Sequence, residues 1–311
     1  VNRKLTRDIL FAEQAALNRL VDQVPSDALL TSISLRSRRD AVAEEIKALD
    51  TSTDTTGTAT LVFGGPRVQG SRSIDTDFAA RSLAAYQDLI TKQAVGRVHG
   101  TFRQSGPIPD RVQARLNITG TLHGSFGFVL EEEGAEEPQL FASTVKIAIS
   151  EVTDLIHHFA YAEDLEFEKA LDNIDNRLMI SLRDLIKALQ DSEGTLRIIE
   201  SDRERYFNRQ AVSRASFRAN DSSISEREEK VRGKLVGLSP VARTFDFVRE
   251  DNDETITGVA GSQLSQAFLS RIKDEGLELG RRWLATISIK TIERSQFSKR
   301  SYILTDLTAD E

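Results

Sequence analysis

From about residue 227 the chain breaks into short β-prone segments in a defined order, and no other feature narrows its fold as much. KVRGKLVGL (230–238), RTFDFVRE (243–250) and TITGVAG (255–261) come first, with EDNDE turning between the second and third. A helix, SQLSQAFLSRIKDEG (262–276), opens at the capping residue Ser262. WLATISIKTIER (283–294) and SYILTDLT (301–308) complete the series. This predicts a small C-terminal β-barrel, residues 226–311, with an OB-like order β-β-β-α-β-β that other small barrels share.

The N-terminal rhythm is helical. Leu10, Leu17 and Val24 recur every seven residues, as do Leu35, Val42 and Leu49 beyond Pro25. Such narrow apolar stripes suit helix-on-helix packing. Residues 1–50 therefore read as a helical hairpin, with Ser26 or Asp27 capping its second helix. The six stripe residues are either the seam of a hairpin resting on its own domain or the interface of a dimerising coiled coil. They are the candidate oligomer contacts.

Residues 51–225 read as a mixed helix and β-hairpin domain, which makes the chain α+β. Thr60 to Phe63 favours a strand that Gly64-Gly65-Pro66 must turn or end. Asp75 is placed to cap the next helix, whose buried face carries Phe78, Leu83, Tyr86, Leu89 and Ile90. RLNITGTLHGSFGFVLEEE (115–133) alternates as a β-hairpin turning through Gly120–Gly124. Two long helices are expected at 140–161 and 164–190, antiparallel neighbours across Glu163-Asp164. TLRIIESDRERYFN (195–208) reads as a second hairpin with a Ser-Asp turn. The polar stretch 209–226 reads as a helix end followed by a linker, the expected domain boundary.

Composition removes several classes of function. Without cysteine there is no disulfide, thiol nucleophile or cysteine-bound metal. Apolar runs are only a few residues long, so no transmembrane helix and no membrane partner are expected. VNRKLTRDILFAEQ meets Asp8 and Glu13 before an apolar core develops and does not read as a secretory signal. The expected setting is the cytoplasm, and the composition suits a bacterium. A net charge of −7 weighs against a wholesale polyanion binder but leaves room for a local basic patch.

Four stretches carry chemistry worth weighing. GGPRVQGSRSID (64–75) follows a strand and precedes a helix, with Gly65, Gly70, Ser71 and Arg72 available to an anion. It lacks the spacing of phosphate-binding loops, and Asp75 sits where the anion would go. HGSFGF (123–128) lacks the strand-to-helix setting of a nucleophile elbow. His123 and Ser125 join the anion or ligand candidates only if the two turns pack side by side. Glu168, Asp172 and Asp175 fall at i, i+4, i+7, one helical face that could hold magnesium with substrate phosphates or simply face water.

The fourth stretch is the basic hairpin ERSQFSKR, where Arg294, Lys299 and Arg300 flank Phe297. In an OB-like barrel this is the last inter-strand loop, where cations attract phosphates and an exposed aromatic stacks on a base. The histidines His99, His123, His157 and His158 form no metal-ligand pattern. No catalytic set, metal or cofactor is expected. The reading is a non-enzymatic binding or regulatory protein that self-associates or docks on a partner protein, with the barrel as binding surface. A nucleic-acid binder using residues 294–300 is the alternative, and a metal-dependent nuclease or other hydrolase the second.

Overall fold

A computed structural model of the protein describes residues 3–25, 28–51, 54–99, 114–122, 126–134, 141–261, 264–274, 282–295 and 297–310. Helices α1 (Arg3–Gln23) and α2 (Leu29–Thr51) form the N-terminal hairpin. Leu10, Leu17, Val42 and Ile46 are buried between them, with Leu35 and Leu49 at the margin. The heptad stripe is thus closed within one chain. Val24 lies half-buried just past α1, and Ser26 and Asp27 are outside the described residues.

The end of the hairpin that carries Lys4 and Arg7 stands on the central domain. The Lys4 N–H donates to Ser201 O (3.1 Å), Lys4 Nζ pairs with Glu204 (2.9 Å) and Arg7 with Asp202 (3.1 Å).

The central domain is an antiparallel sheet under a layer of helices. Its strands are β1 (Thr58–Gly64), β4 (Leu116–Leu122), β5 (Phe126–Glu132), β6 (Thr195–Glu200) and β7 (Arg203–Phe207), ordered β4-β5-β1-β6-β7. β1 is central because its interior, Ala59 to Phe63, is buried throughout. It ends at Gly65, whose φ of +110° suits glycine and where a Cβ would stand 2.6 Å from Glu193 O. A two-residue ribbon, β2 (Val68–Gln69) with β3 (Ser73–Ile74), leads to α3 (Thr76–His99). Asp75 caps that helix by accepting from Phe78 N (3.0 Å).

The helical layer departs from the expected pair of long antiparallel helices. α4 (Thr144–Tyr161) is followed by α5 (Asp164–Asp172) and α6 (Asn176–Asp191), not by one helix over 164–190. Asp175 accepts from Leu178 N (2.7 Å) and so begins α6, while Asn173 closes α5. The polar residues of LDNID serve as caps, which competes with helix continuation. Glu168, Asp172 and Asp175 therefore do not share one helical face. Nor are α4 and α6 paired: each packs on α3 and on α7 (Arg209–Asp221), giving the ring α3-α4-α7-α6.

Residues 209–226 contain no linker. α7 is a full helix, capped by Asn208 and buried through Ala211, Val212, Ala215 and Ala219. Only Ser222 separates it from β8 (Ser223–Ser239). The barrel adds β9 (Thr244–Arg249), β10 (Thr255–Ala260), α8 (Gln266–Asp274), β11 (Arg282–Arg294) and β12 (Phe297–Ala309). It closes in the order β10-β12-β11-β8-β9, antiparallel except for β10 beside β12. Phe245, Phe247, Trp283, Ile287 and Leu304 fill the interior, with Leu269 of α8 among them. Ile224 of β8 and Ile292 of β11 belong instead to the core under the helices. The barrel and the helical layer are stitched at this point.

Two measurements follow from these joints. Trp283 is the only tryptophan and reports on the barrel, whereas far-ultraviolet circular dichroism reports on the helices. The two urea transitions should coincide, and Ile292→Ala should shift both together by about 2–5 kcal/mol. Separate midpoints would show that the shared core does not couple the units.

The second concerns the hairpin foot. The Lys4 hydrogen bond holds Glu204 below its ordinary 4.5, and the Glu204 hydrogen bond holds Lys4 above its ordinary 10.5. The carboxylate's contribution is complete above 4.5 and is lost as pH falls through the lower folded value. The ammonium's contribution is complete below 10.5 and is lost as pH rises through the higher folded value. The stability difference between the parent and Glu204→Gln should therefore shrink towards zero on acidification below 4.5, read from melting temperatures.

Candidate functional site between the barrel and the helices

The basic hairpin is turned inward, against the helices. Arg294 pairs with Asp221 (3.4 Å) and Glu168 (3.7 Å), and its guanidinium lies 4.9 Å from the centre of the Phe167 ring. Arg218 approaches the same ring at 4.5 Å. Ser295 donates to Asp221. Phe297 is half-buried against the helical core, not exposed at a tip. Lys299 holds both carboxylate oxygens of Asp172, at 2.7 and 2.6 Å. Among the described residues the side chain of Arg300 alone of the four basic-hairpin candidates makes no hydrogen bond, ion pair or core contact, and it is exposed.

Lys290 completes this contact. Its side chain is buried and donates to Leu171 O (3.0 Å) and Asp172 O (2.7 Å), the last carbonyls of α5. A cation there meets carbonyls of the last helical turn, of which Leu171 O also accepts from Ile174 N (3.5 Å), and the negative end of the helix. Burial holds its pKa below the ordinary lysine value, against the pull of Glu226, Asp172 and Asp175.

Beside this contact a cleft of about 760 Å³ opens between the barrel wall and helices α3, α5 and α6. Its floor is set by strand register: Glu226 of β8 lies opposite Lys290 of β11, which lies opposite Ser301 of β12. One step along, Ser288 faces Ile303, and Ile303 faces Val259 of β10. On the far wall, α3 contributes Lys92 and Arg97. Lys92 is engaged with Asp88 (2.6 Å) and Ser181, and Arg97 with Glu151. Glu226 makes no hydrogen bond or ion pair among the described residues. Burial, then the nearby Asp175, push its pKa up, with Lys290 opposing. Opposite shifts on neighbouring groups in a cleft mark a candidate site. Among the described residues no group of three His, Asp or Glu side chains is placed to hold a metal ion.

The glycine turn lies elsewhere. Gly65 and Gly70 line a separate hollow of about 700 Å³ with Phe63, Phe126, Arg197 and Tyr206. Ser71 and Arg72 are exposed on the adjoining ribbon. Phe63 pairs with Phe126, so β5 begins at the same end of the sheet as Gly64. His123 and Ser125 themselves lie outside the described residues. Asp75 occupies the α3 N-terminus and pairs with Arg67 (3.6 Å), which closes the position an anion would take.

Spacing gave no sign of Glu226, because its place depends on the β8–β11 register. Lys290 did carry a signal: it is the one charge inside the apolar run WLATISIK. Lys290→Met should lower stability by about 1–3 kcal/mol, the cost of stranding buried acceptors, while Arg300→Ala should stay within about 0.5 kcal/mol. Equal effects in urea titrations would mean that Lys290 does not hold the barrel to α5. No protein-family model matches this sequence, and no curated protein or solved structure matches it either.

Proposed function

We propose that the chain is a non-enzymatic binding protein that assembles with a second copy of itself through the tip of the α1–α2 hairpin and uses the barrel as its binding surface. The observation that carries this reading is the apolar patch left at the tip once the hairpin seam is filled. Leu29, Leu30 and Ile33 are 69%, 85% and 63% exposed, with Leu20 beside them on α1. The patch continues the seam of Leu17 and Leu35 beyond the last buried layer, at the end away from the foot on β7. A helix of 21 residues puts it about 30 Å from that foot. A like patch can meet it about a two-fold axis to form a four-helix contact.

The barrel supports the second half of the reading. Its first strand pairs with the second and the fourth, its third lies parallel to the fifth, and α8 bridges the third and fourth. That order favours an OB-like barrel, an architecture whose outer face and loops serve as binding surfaces. The nucleic-acid alternative draws support from Arg300, since Arg294 and Lys299 would have to leave their carboxylates to reach a strand.

Burying each of these side chains at a dimer contact stabilises by about 1.5–3 kcal/mol. Sedimentation velocity over a wide concentration range should show a dimer for the parent and a monomer for Leu30→Glu/Ile33→Glu. Both positions are exposed in the single chain, so circular dichroism should be unchanged. A parent that stays monomeric at the highest concentration, or a variant that still dimerises, would overturn the reading.

A further inference from the structure

We infer that the cleft between the barrel and the helices binds a guanine mononucleotide, with Glu226 and Lys290 reading the base and Arg300 holding the phosphate. This cleft is formed without the N-terminal hairpin, whichever way the hairpin assembles. At about 760 Å³ the cleft falls in the range of small-ligand sites. Its polar groups have capacity left over. Lys290 directs its amino group at two carbonyls, and an ammonium has three donors. Glu226, directly across the strand pair, has no hydrogen-bonding partner among the described residues, so both its oxygens are free to accept. Arg300 lines the same cleft and is likewise unengaged.

The base edge follows from this pairing. A carboxylate with two free oxygens accepts two parallel N–H groups, and a cation beside it donates to a carbonyl. Guanine presents that set in one plane: N1–H and the N2 amine, flanked by O6. Cytosine and adenine each offer one amine donor beside a ring acceptor, which leaves one carboxylate oxygen unmatched. Uracil places a carbonyl on each side of its single N–H and would set an oxygen against the carboxylate. Val259, 48% exposed, and Ile303 supply an apolar ledge next to the Glu226–Lys290 row for the ring to lie on. A guanidinium is well matched to the phosphate in charge and fork geometry.

Isothermal titration calorimetry on the full chain tests this with GMP, CMP, AMP, UMP, guanosine and inorganic phosphate. GMP should bind at least about tenfold more tightly than the other three nucleotides, the scale of one good bidentate base contact. Glu226→Gln should abolish that preference while leaving circular dichroism unchanged. Arg300→Ala should weaken GMP by about tenfold and leave guanosine unaffected. Equal binding of the four nucleotides, binding of phosphate as tight as GMP, or no GMP binding would each overturn the assignment. So would tighter binding of a guanine-containing single-stranded oligonucleotide than of GMP, which would make the cleft part of a strand-binding surface.

Discussion

The amino group of Lys290 on the last two carbonyls of α5 is the contact on which the arrangement of this molecule depends. It reaches out of a barrel strand to the negative end of a helix and adds a charged donor to the carbonyls of its last turn. Lys299 on Asp172 and Arg294 on Asp221 and Glu168 extend the same contact along β12 and into α7. Phe167, with two guanidinium groups over its ring, fills the space behind it. Because these charges are shared between elements far apart in sequence, the break between α5 and α6 and the seating of the barrel are one structural fact.

That use of charge has a cost in the neighbouring row. Lys290 donates to the helix carbonyls and makes no ion pair with Glu226, its cross-strand partner, so a half-buried carboxylate is left to the cleft. Burial of an unpaired charge is unfavourable unless something compensates it. The opposed pKa shifts of the two residues record this tension. The cleft is thus the remainder of a docking contact whose geometry satisfies the helix first.

What could be read from sequence divides along the range of the interactions. The barrel's strands were legible because EDNDE punctuates them and most of their apolar residues face the barrel core. Ser262, the expected cap of α8, lies outside the described residues, and Ser265 accepts from Phe268 N (3.0 Å) at the start of that helix. The hairpin seam was legible from its heptads. The break at Asn173–Asp175 was hidden because Leu171, Ile174 and Leu178 are all buried and carry the apolar rhythm straight through it. α7 was hidden by its alanines, which bury a face without announcing one. The basic hairpin stood out, yet its partners lie more than seventy residues away in sequence, and no local pattern identifies Asp172 and Asp221 as their counter-charges. The cleft needed the pairing of β8 with β11, which only the folded chain specifies.

The junction at Ser222 carries one more consequence. The hydroxyl of Ser222 donates to Arg218 O (2.8 Å), and Arg183 donates to the carbonyls of Ala219 and Ser222. From the β6–β7 turn that seats α1, the backbone runs through β7, Asn208 and α7 into β8, reaching Glu226 at the fourth residue of that strand. In mechanical terms the hairpin is a lever arm whose fulcrum is bolted to the strand that floors the cleft.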